Sequence, residues 1–157
     1  MYSNLRRAGM LAIAVGLAPA CFAGSGENPA ALRRHLADSV ARGDMPAALA
    51  LYADDAVIEG GGRCRLEPCV GKAAIALELA DRIARKPEVQ TLGSYVSGNV
   101  LTTHLKVMND ATRLAGVDHF TVWVIYEARN GKLASERILF ERSDPETMRF
   151  YAWLSLQ

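Results

Sequence analysis

The hydrophobic pattern of this chain changes its period near Pro87, and this change constrains the fold more than any other feature. Before Pro87, apolar residues recur every three or four positions, which is typical of helices that pack by one face. The pattern there predicts helices at 29–41, 45–52 and 72–86, with a short strand at 56–59. After Pro87, β-forming residues dominate. A helical half followed by a strand-rich half predicts an α+β domain, with its helices on one face of a curved antiparallel sheet.

Turn signals divide the second half into strands. The strands are predicted at 89–96, 100–108, 117–126 and 133–142. Hairpin turns are predicted at 97–99 (SGN) and at 130–131 (NG), and a further turn begins at 109–110 (ND). The SDPE sequence at 143–146 resembles a capping box, so a last helix is expected to run to about residue 153.

The N-terminus has the three parts of a secretory signal. Arg6 and Arg7 precede an apolar run at 10–17, and small residues follow it. We predict cleavage after Ala23, a linker at 24–28, and one domain at 29–157. The apolar run is shorter than the roughly 20 residues that span a bilayer. The protein is therefore expected to be exported to the periplasm or secreted without a membrane span; the alternative is a lipoprotein anchored through Cys21.

Charge and cysteine usage restrict the partners. The first 23 residues hold two of the 18 basic residues and none of the 17 acidic ones, so cleavage leaves 16 basic and 17 acidic residues. Because no basic patch stands out, no nucleic-acid partner is predicted. Cys64 and Cys69 are expected to form a disulfide in an oxidising compartment, the alternatives being free thiols or half of a metal site. No cofactor or metal motif is visible, and none is predicted.

Several short motifs resemble one family when they are taken in order. They are RGD at 42–44, LYADDAV at 51–57, VGKAAI at 70–75 and NGKL at 130–133. Together they resemble the SnoaL-like members of the nuclear transport factor 2 superfamily. The resemblance implies a cone in which a bent sheet wraps the first helix around a mostly apolar cavity. Members include ketosteroid isomerase, polyketide cyclases, limonene epoxide hydrolase and non-enzymatic binding domains, so the fold alone does not decide the function.

The ketosteroid isomerase pattern is incomplete. Leu36 falls at the position of its tyrosine and Gly60 at the position of its base. Asp118, in an Asp-His-Phe sequence, matches its acid and is the candidate catalytic group; a count back from the hairpin glycine instead gives Trp123. The alternative for Asp118 is a solvated position at the end of a strand.

Other candidates are weaker. His35 lies one residue from the lost tyrosine position and is a second catalytic candidate. The Asp-Arg-Asp constellation of limonene epoxide hydrolase is not expected, because Ile138, His104 and Lys106 occupy its positions. The residues predicted to line the ligand pocket are Leu32, Leu36, Tyr52, Phe120, Val122 and Phe140.

Three functions remain open from the sequence. The first is an exported domain that binds a small apolar or amphipathic molecule in the cone. The second is an isomerase, cyclase or dehydratase that uses Asp118 as acid or base. The third is an interaction module that forms a homodimer through its outer sheet face, where Trp123 and Ile125 are expected to be exposed.

Overall fold

A computed structural model describes residues 28–157 of the protein. The predicted signal and its cleavage site lie outside these residues. The described helices are α1 (Pro29–Arg42), α2 (Met45–Ala50), α3 (Gly71–Ala84), α4 (Asp110–Ala115) and α5 (Pro145–Leu154). The described strands are β1 (Tyr52–Glu59), β2 (Cys69–Val70), β3 (Glu88–Ser97), β4 (Val100–Met108), β5 (Phe120–Arg129) and β6 (Lys132–Phe140). None of these helices is long and apolar enough to cross a membrane.

The strands form one open, curved sheet in the order β2-β1-β6-β5-β4-β3. Neighbouring strands are antiparallel except for β1 and β6, which are parallel. The predicted meander is therefore present as β3 to β6, and the early strand joins its β6 edge. The predicted α+β class is confirmed, with the helices packed on the concave face.

Local signals define the ends of the first helix. The Asn28 side chain accepts hydrogen bonds from the backbone N–H groups of Ala30 and Ala31, at 3.1 and 3.2 Å. Gly43 ends the helix in a left-handed conformation (φ 70°), which glycine adopts without steric cost. Asp44 then caps α2 through the backbone N–H of Ala47, at 3.0 Å. The predicted boundaries of α1 hold because both signals are local.

The predicted boundary between α2 and the first strand is wrong. The helix ends at Ala50 and β1 begins at Tyr52, whereas the sequence predicts a helix to 52 and a strand only from 56. The Leu51 carbonyl accepts a hydrogen bond from Leu133 N–H at 2.8 Å, and Tyr52 pairs with Leu133 in the sheet. Pairing with a strand some 80 residues away therefore overrides the local helical pattern.

Further differences from the predicted boundaries lie downstream. The turn predicted at 109–110 opens the helix α4 instead, with Asn109 and Thr112 forming a reciprocal capping box. Because α4 and its exit occupy residues up to 119, β5 begins at Phe120 rather than at 117. The cap of α5 is Asp144, one residue after the predicted Ser143.

The predicted disulfide is present. Cys64 and Cys69 are joined, with Cα atoms 5.1 Å apart. They close the loop between β1 and α3, which contains a short 3₁₀ helix at Gly62–Arg65 and the strand β2. This loop lies beside the concave face of the sheet, against Ile138 of β6 and Glu78 of α3.

Candidate functional site

A cavity of about 520 Å³ lies between the concave face of the sheet and the helices α1, α3 and α5. Its wall is largely apolar. Side chains that form it include Leu36, Leu105, Val122, Val124, Ile138 and Phe140. The alternation of a β-strand directs every second residue of β5 and β6 into this space. The register pairs Val122 with Phe140 and Val124 with Ile138, so both strands contribute apolar side chains to one wall.

The same register brings polar groups into the cavity one pair further along. Tyr126 of β5 pairs with Glu136 of β6, and both line the cavity although they are almost completely buried. From the other side, α3 contributes Glu78 and Arg82, which lie one helical turn apart on the same face. The cavity therefore has apolar walls and one polar region.

Arg82 bridges two buried carboxylates, and we refer to Glu78, Arg82 and Glu136 as the Glu–Arg–Glu array. Arg82 Nη1 lies 2.9 Å from Glu136 Oε1, and Arg82 Nη2 lies 3.3 Å from Glu78 Oε1. The second oxygen of Glu136 accepts a short hydrogen bond from the Tyr52 hydroxyl. The second oxygen of Glu78 accepts one from the backbone N–H of Arg63, at 2.8 Å. Each carboxylate oxygen of the array thus has a donor, as buried charges require.

Burial and charge change the acidity of these groups. Burial raises the pKa of Glu78, while Arg82 and the Arg63 N–H act against this rise. Burial alone would lower the pKa of Arg82, but the charges around it, with that of Glu136 first, raise it well above its ordinary value. Glu78 is therefore more easily protonated than an ordinary glutamate.

The two buried tyrosines remain protonated at neutral pH. Burial, followed by the nearby charge of Glu136, raises the pKa of both Tyr52 and Tyr126. For Tyr126 the positive charges of Arg82 and Arg33 act in the opposite direction, but burial dominates. Both hydroxyls therefore keep a proton that can be donated; Tyr52 donates its proton to Glu136, and Tyr126 is the one that lines the cavity.

The disulfide loop supports the array from the side. Gly62 has a positive φ of 53°, and a Cβ atom there would lie 2.4 Å from a carboxylate oxygen of Glu78. The loop can therefore approach Glu78 closely enough for the Arg63 N–H to donate only with glycine at this position. The Cys64–Cys69 bond closes this loop directly after that contact.

The structure places the catalytic candidates from the sequence outside the cavity. Asp118 is exposed in the segment before β5, and its backbone N–H donates to Glu146 Oε2 at 3.3 Å. It is not a pocket carboxylate, because the strand that was to carry it starts two residues later. Trp123, the alternative position, lies on the outer face, where its Nε1 donates to Glu141 at 2.8 Å. His35 is exposed on α1, next to the inward-facing Leu36.

The predicted pocket residues separate into two groups. Leu36, Phe120, Val122 and Phe140 line the cavity. Leu32 packs against the core beside the cavity, and Tyr52 lies behind Glu136.

The Glu–Arg–Glu array was not predicted from the sequence. The positions of the acid–arginine–acid set of limonene epoxide hydrolase hold Ile138, His104 and Lys106 in this chain. In this structure one acid and the arginine come from α3, as Glu78 and Arg82. The second acid is Glu136 of β6. The available signal was a Glu and an Arg four residues apart on the helix, together with a Glu in the middle of a predicted strand.

Fold and cavity together define a class: a cone-shaped α+β domain with a sheet-lined cavity, as in nuclear transport factor 2-like proteins. A family model for the SnoaL-like domain matches residues 32–136. The chain therefore belongs to the SnoaL-like family, as its motif order implied. Among curated proteins, no sequence matches this chain.

Solved structures share this fold at low sequence identity. An LEH-like epoxide hydrolase of Mycobacterium tuberculosis is 18% identical over 80% of this chain and 93% of its own, with a TM-score of 0.59. The epoxide hydrolase/cyclase-like enzyme SalBIII, from polyether salinomycin formation, is 13% identical over 74% and 92%, with a TM-score of 0.61. A computationally designed 17-OHP binder is 19% identical over 73% and 92%, with a TM-score of 0.58. At these identities the similarity establishes the fold alone.

Proposed function

We propose that this domain binds a small amphipathic molecule in its cavity, with the apolar part of the ligand against the sheet and a polar group near Tyr126 and the Glu–Arg–Glu array. The observation that carries the proposal is one cavity with an apolar wall and a buried polar region. Its volume of about 520 Å³ lies within the roughly 300–1,000 Å³ of small-molecule sites. A computationally designed protein of this fold is described as a binder of 17-OHP, which supports a small-molecule-binding function.

The test combines native mass spectrometry with a cavity-filling variant. The protein purified from its own host is expected to carry a small molecule that is released on unfolding. Ala37→Phe, on the cavity face of α1, should fill the space and remove this molecule. Ala80→Phe adds the same ring at an exposed position of α3 and is the matched control. Equal ligand occupancy in both folded variants would contradict the proposal.

A second candidate function is acid–base catalysis on the bound molecule. The observation in its favour is the array itself, in which a buried carboxyl with a raised pKa faces the same cavity as a second carboxylate. Such a pair suits a reaction in which one group donates a proton and the other accepts one. Two neighbours of this fold are described as epoxide hydrolase-type enzymes, which makes opening of an epoxide by water the first reaction to assay.

In that reaction water would add across one C–O bond of the epoxide and give a vicinal diol. Formation of the diol from a panel of epoxides is measured by gas chromatography. Glu136→Gln and Glu78→Gln are each expected to lower the rate at least about a hundredfold. Asp118→Asn, outside the cavity, is the control and should retain the rate. Diol formation that persists in the array variants would exclude this mechanism.

Export and dimerisation belong to the same proposal. The signal-like N-terminus and the Cys64–Cys69 disulfide support a location outside the cytoplasm, which cell fractionation of the tagged full chain tests. Exposed Tyr95, Trp123 and Leu139 support a homodimer through the outer sheet face. Sedimentation showing a monomer at micromolar concentration would contradict the dimer.

A further inference from the structure

The charged residues around the cavity are not evenly paired. Its lining includes four arginines and four acidic residues. Arg82 already pairs with Glu78 and Glu136, and Arg63, from the neighbouring loop, pairs with Asp81 at 3.1 Å.

Three arginines and one acidic residue of the cavity lining are left without an ion pair among the described residues. Within residues 28–157, no ion pair involves Arg33, Arg65, Arg85 or Asp38. Asp38 is exposed, so it compensates little of this charge. Although the cavity lining has equal numbers of arginines and acidic residues, three of its guanidinium groups therefore have no ion pair within the described residues.

Arg33 is the one of these three that reaches the buried polar region. It lies on the cavity face of α1, one helical turn before Leu36, and its guanidinium acts on the Tyr126 hydroxyl. Arg65 already donates to the Leu154 carbonyl at 3.1 Å, and Arg85 lies at the end of α3, with no hydrogen bond or ion pair to Tyr126 or the Glu–Arg–Glu array among the described residues. Arg33 is therefore the cation that a ligand in the deep part of the cavity would meet.

Tyr126 adds a donor at the same place. Its side chain is buried, and no hydrogen bond within the described part of the chain uses its O–H as donor. Arg33 lines the same cavity and its positive charge acts on this hydroxyl; a guanidinium can only donate, so the Tyr126 proton remains available for a partner in the cavity. Because the Tyr126 hydroxyl faces a cavity that is partly shielded from water, a hydrogen bond to a ligand there is stronger than the same bond in solvent.

On these grounds we infer that the ligand is an amphipathic anion, whose carboxylate or similar group accepts hydrogen bonds from Arg33 and Tyr126 while its apolar chain lies against the sheet. The inference rests on the proposed binding function. Glu136 carries a negative charge near Tyr126, but its two oxygens already accept hydrogen bonds from Arg82 and Tyr52, so the donors left for a ligand are those of Arg33 and Tyr126. A guanidinium and a hydroxyl together supply the two donors that the two oxygens of a carboxylate accept.

Calorimetric titration with three probes of equal chain length tests the inference. The probes are decanoate, 1-decanol and decyltrimethylammonium, which carry a negative, a neutral and a positive head group. Decanoate is expected to bind about tenfold or more tightly than decanol, since a charge-assisted hydrogen bond replaces a neutral one. The cationic probe is expected to bind weakest.

Variants of neighbouring arginines on α1 locate the effect. Arg33→Gln should remove the preference for decanoate, whereas Arg33→Lys, which keeps the charge, should retain most of it. Arg34→Gln, at the exposed next position, is the matched control and should behave like the unaltered protein. Thermal unfolding of each variant verifies that it is folded. If a variant does not fold, the comparison of the three head groups in the unaltered protein still tests the inference.

The outcomes separate the two proposals. If decanoate and decanol bind equally well, or if the preference survives in Arg33→Gln, the anion inference is wrong and the binding function stands. If none of the three probes binds, the proposed binding function fails, and the inference fails with it.

Discussion

Glu136 and Arg137 are neighbours on β6, yet their ion pairs lie in opposite environments. Glu136 faces the cavity and pairs with Arg82 while 1% exposed, and Arg137 faces outward and pairs with Glu59 with 60% of its side chain exposed. Strand alternation alone produces this difference. The inner pair is shielded from water and strongly coupled to its surroundings, whereas water and salt screen the outer pair. Two contacts of the same chemical type should therefore differ greatly in their effect on stability.

The largest expected effect comes from removing the cation of the inner array. Arg82→Met keeps much of the side-chain volume but leaves two buried carboxylates without their shared partner. We expect the free energy of unfolding at neutral pH to fall by about 3–5 kcal/mol. Urea unfolding followed by circular dichroism measures this change. A loss below about 1 kcal/mol would mean that the array is hydrated and not a buried ion pair.

Removing one neutral donor of the array should have a smaller effect. Tyr52→Phe deletes the hydroxyl that donates to Glu136 and leaves the aromatic ring in place. An oxygen of a buried carboxylate then lacks one donor, which should cost about 1–3 kcal/mol. The same unfolding measurement applies. Tyr151→Phe, at an exposed position of α5 away from the outer sheet face, is the control and should change nothing measurable.

The sequence predicted those parts of the molecule that local signals specify. Asn28 and Gly43 delimit α1 through bonds within a few residues, and Asn130-Gly131 forms the last hairpin for the same reason. The start of β1 and the position of Glu136 depend on pairings between distant segments. Neither leaves a local signal. The family resemblance therefore predicted the right fold, whereas the motif match at Asp118 pointed to a residue that is exposed before β5.

The pH dependence of stability distinguishes Glu78 from ordinary carboxylates. Its pKa is raised on folding, so the folded state binds more protons, and its contribution to stability is complete below the unfolded pKa and lost as the pH rises through the folded one. Glu78→Gln removes this contribution. Relative to the variant, the unaltered protein should therefore lose stability as the pH rises above the ordinary glutamate pKa, by roughly 1.4 kcal/mol per unit of pKa shift. Parallel pH profiles of the two proteins would contradict the raised pKa.

The smallest effect is expected at the outer pair. Arg137→Gln breaks the contact with Glu59 on the exposed face, and we expect a change of about 0.5 kcal/mol or less, because both side chains become hydrated when the pair is lost. High salt should abolish even this difference, whereas the effect of Arg82→Met should persist in salt, since its partners are buried. If Arg137→Gln destabilises the protein as much as Arg82→Met does, the outer face is not free in solution. That result would favour a homodimer that buries this face, and sedimentation of both variants would then decide the matter.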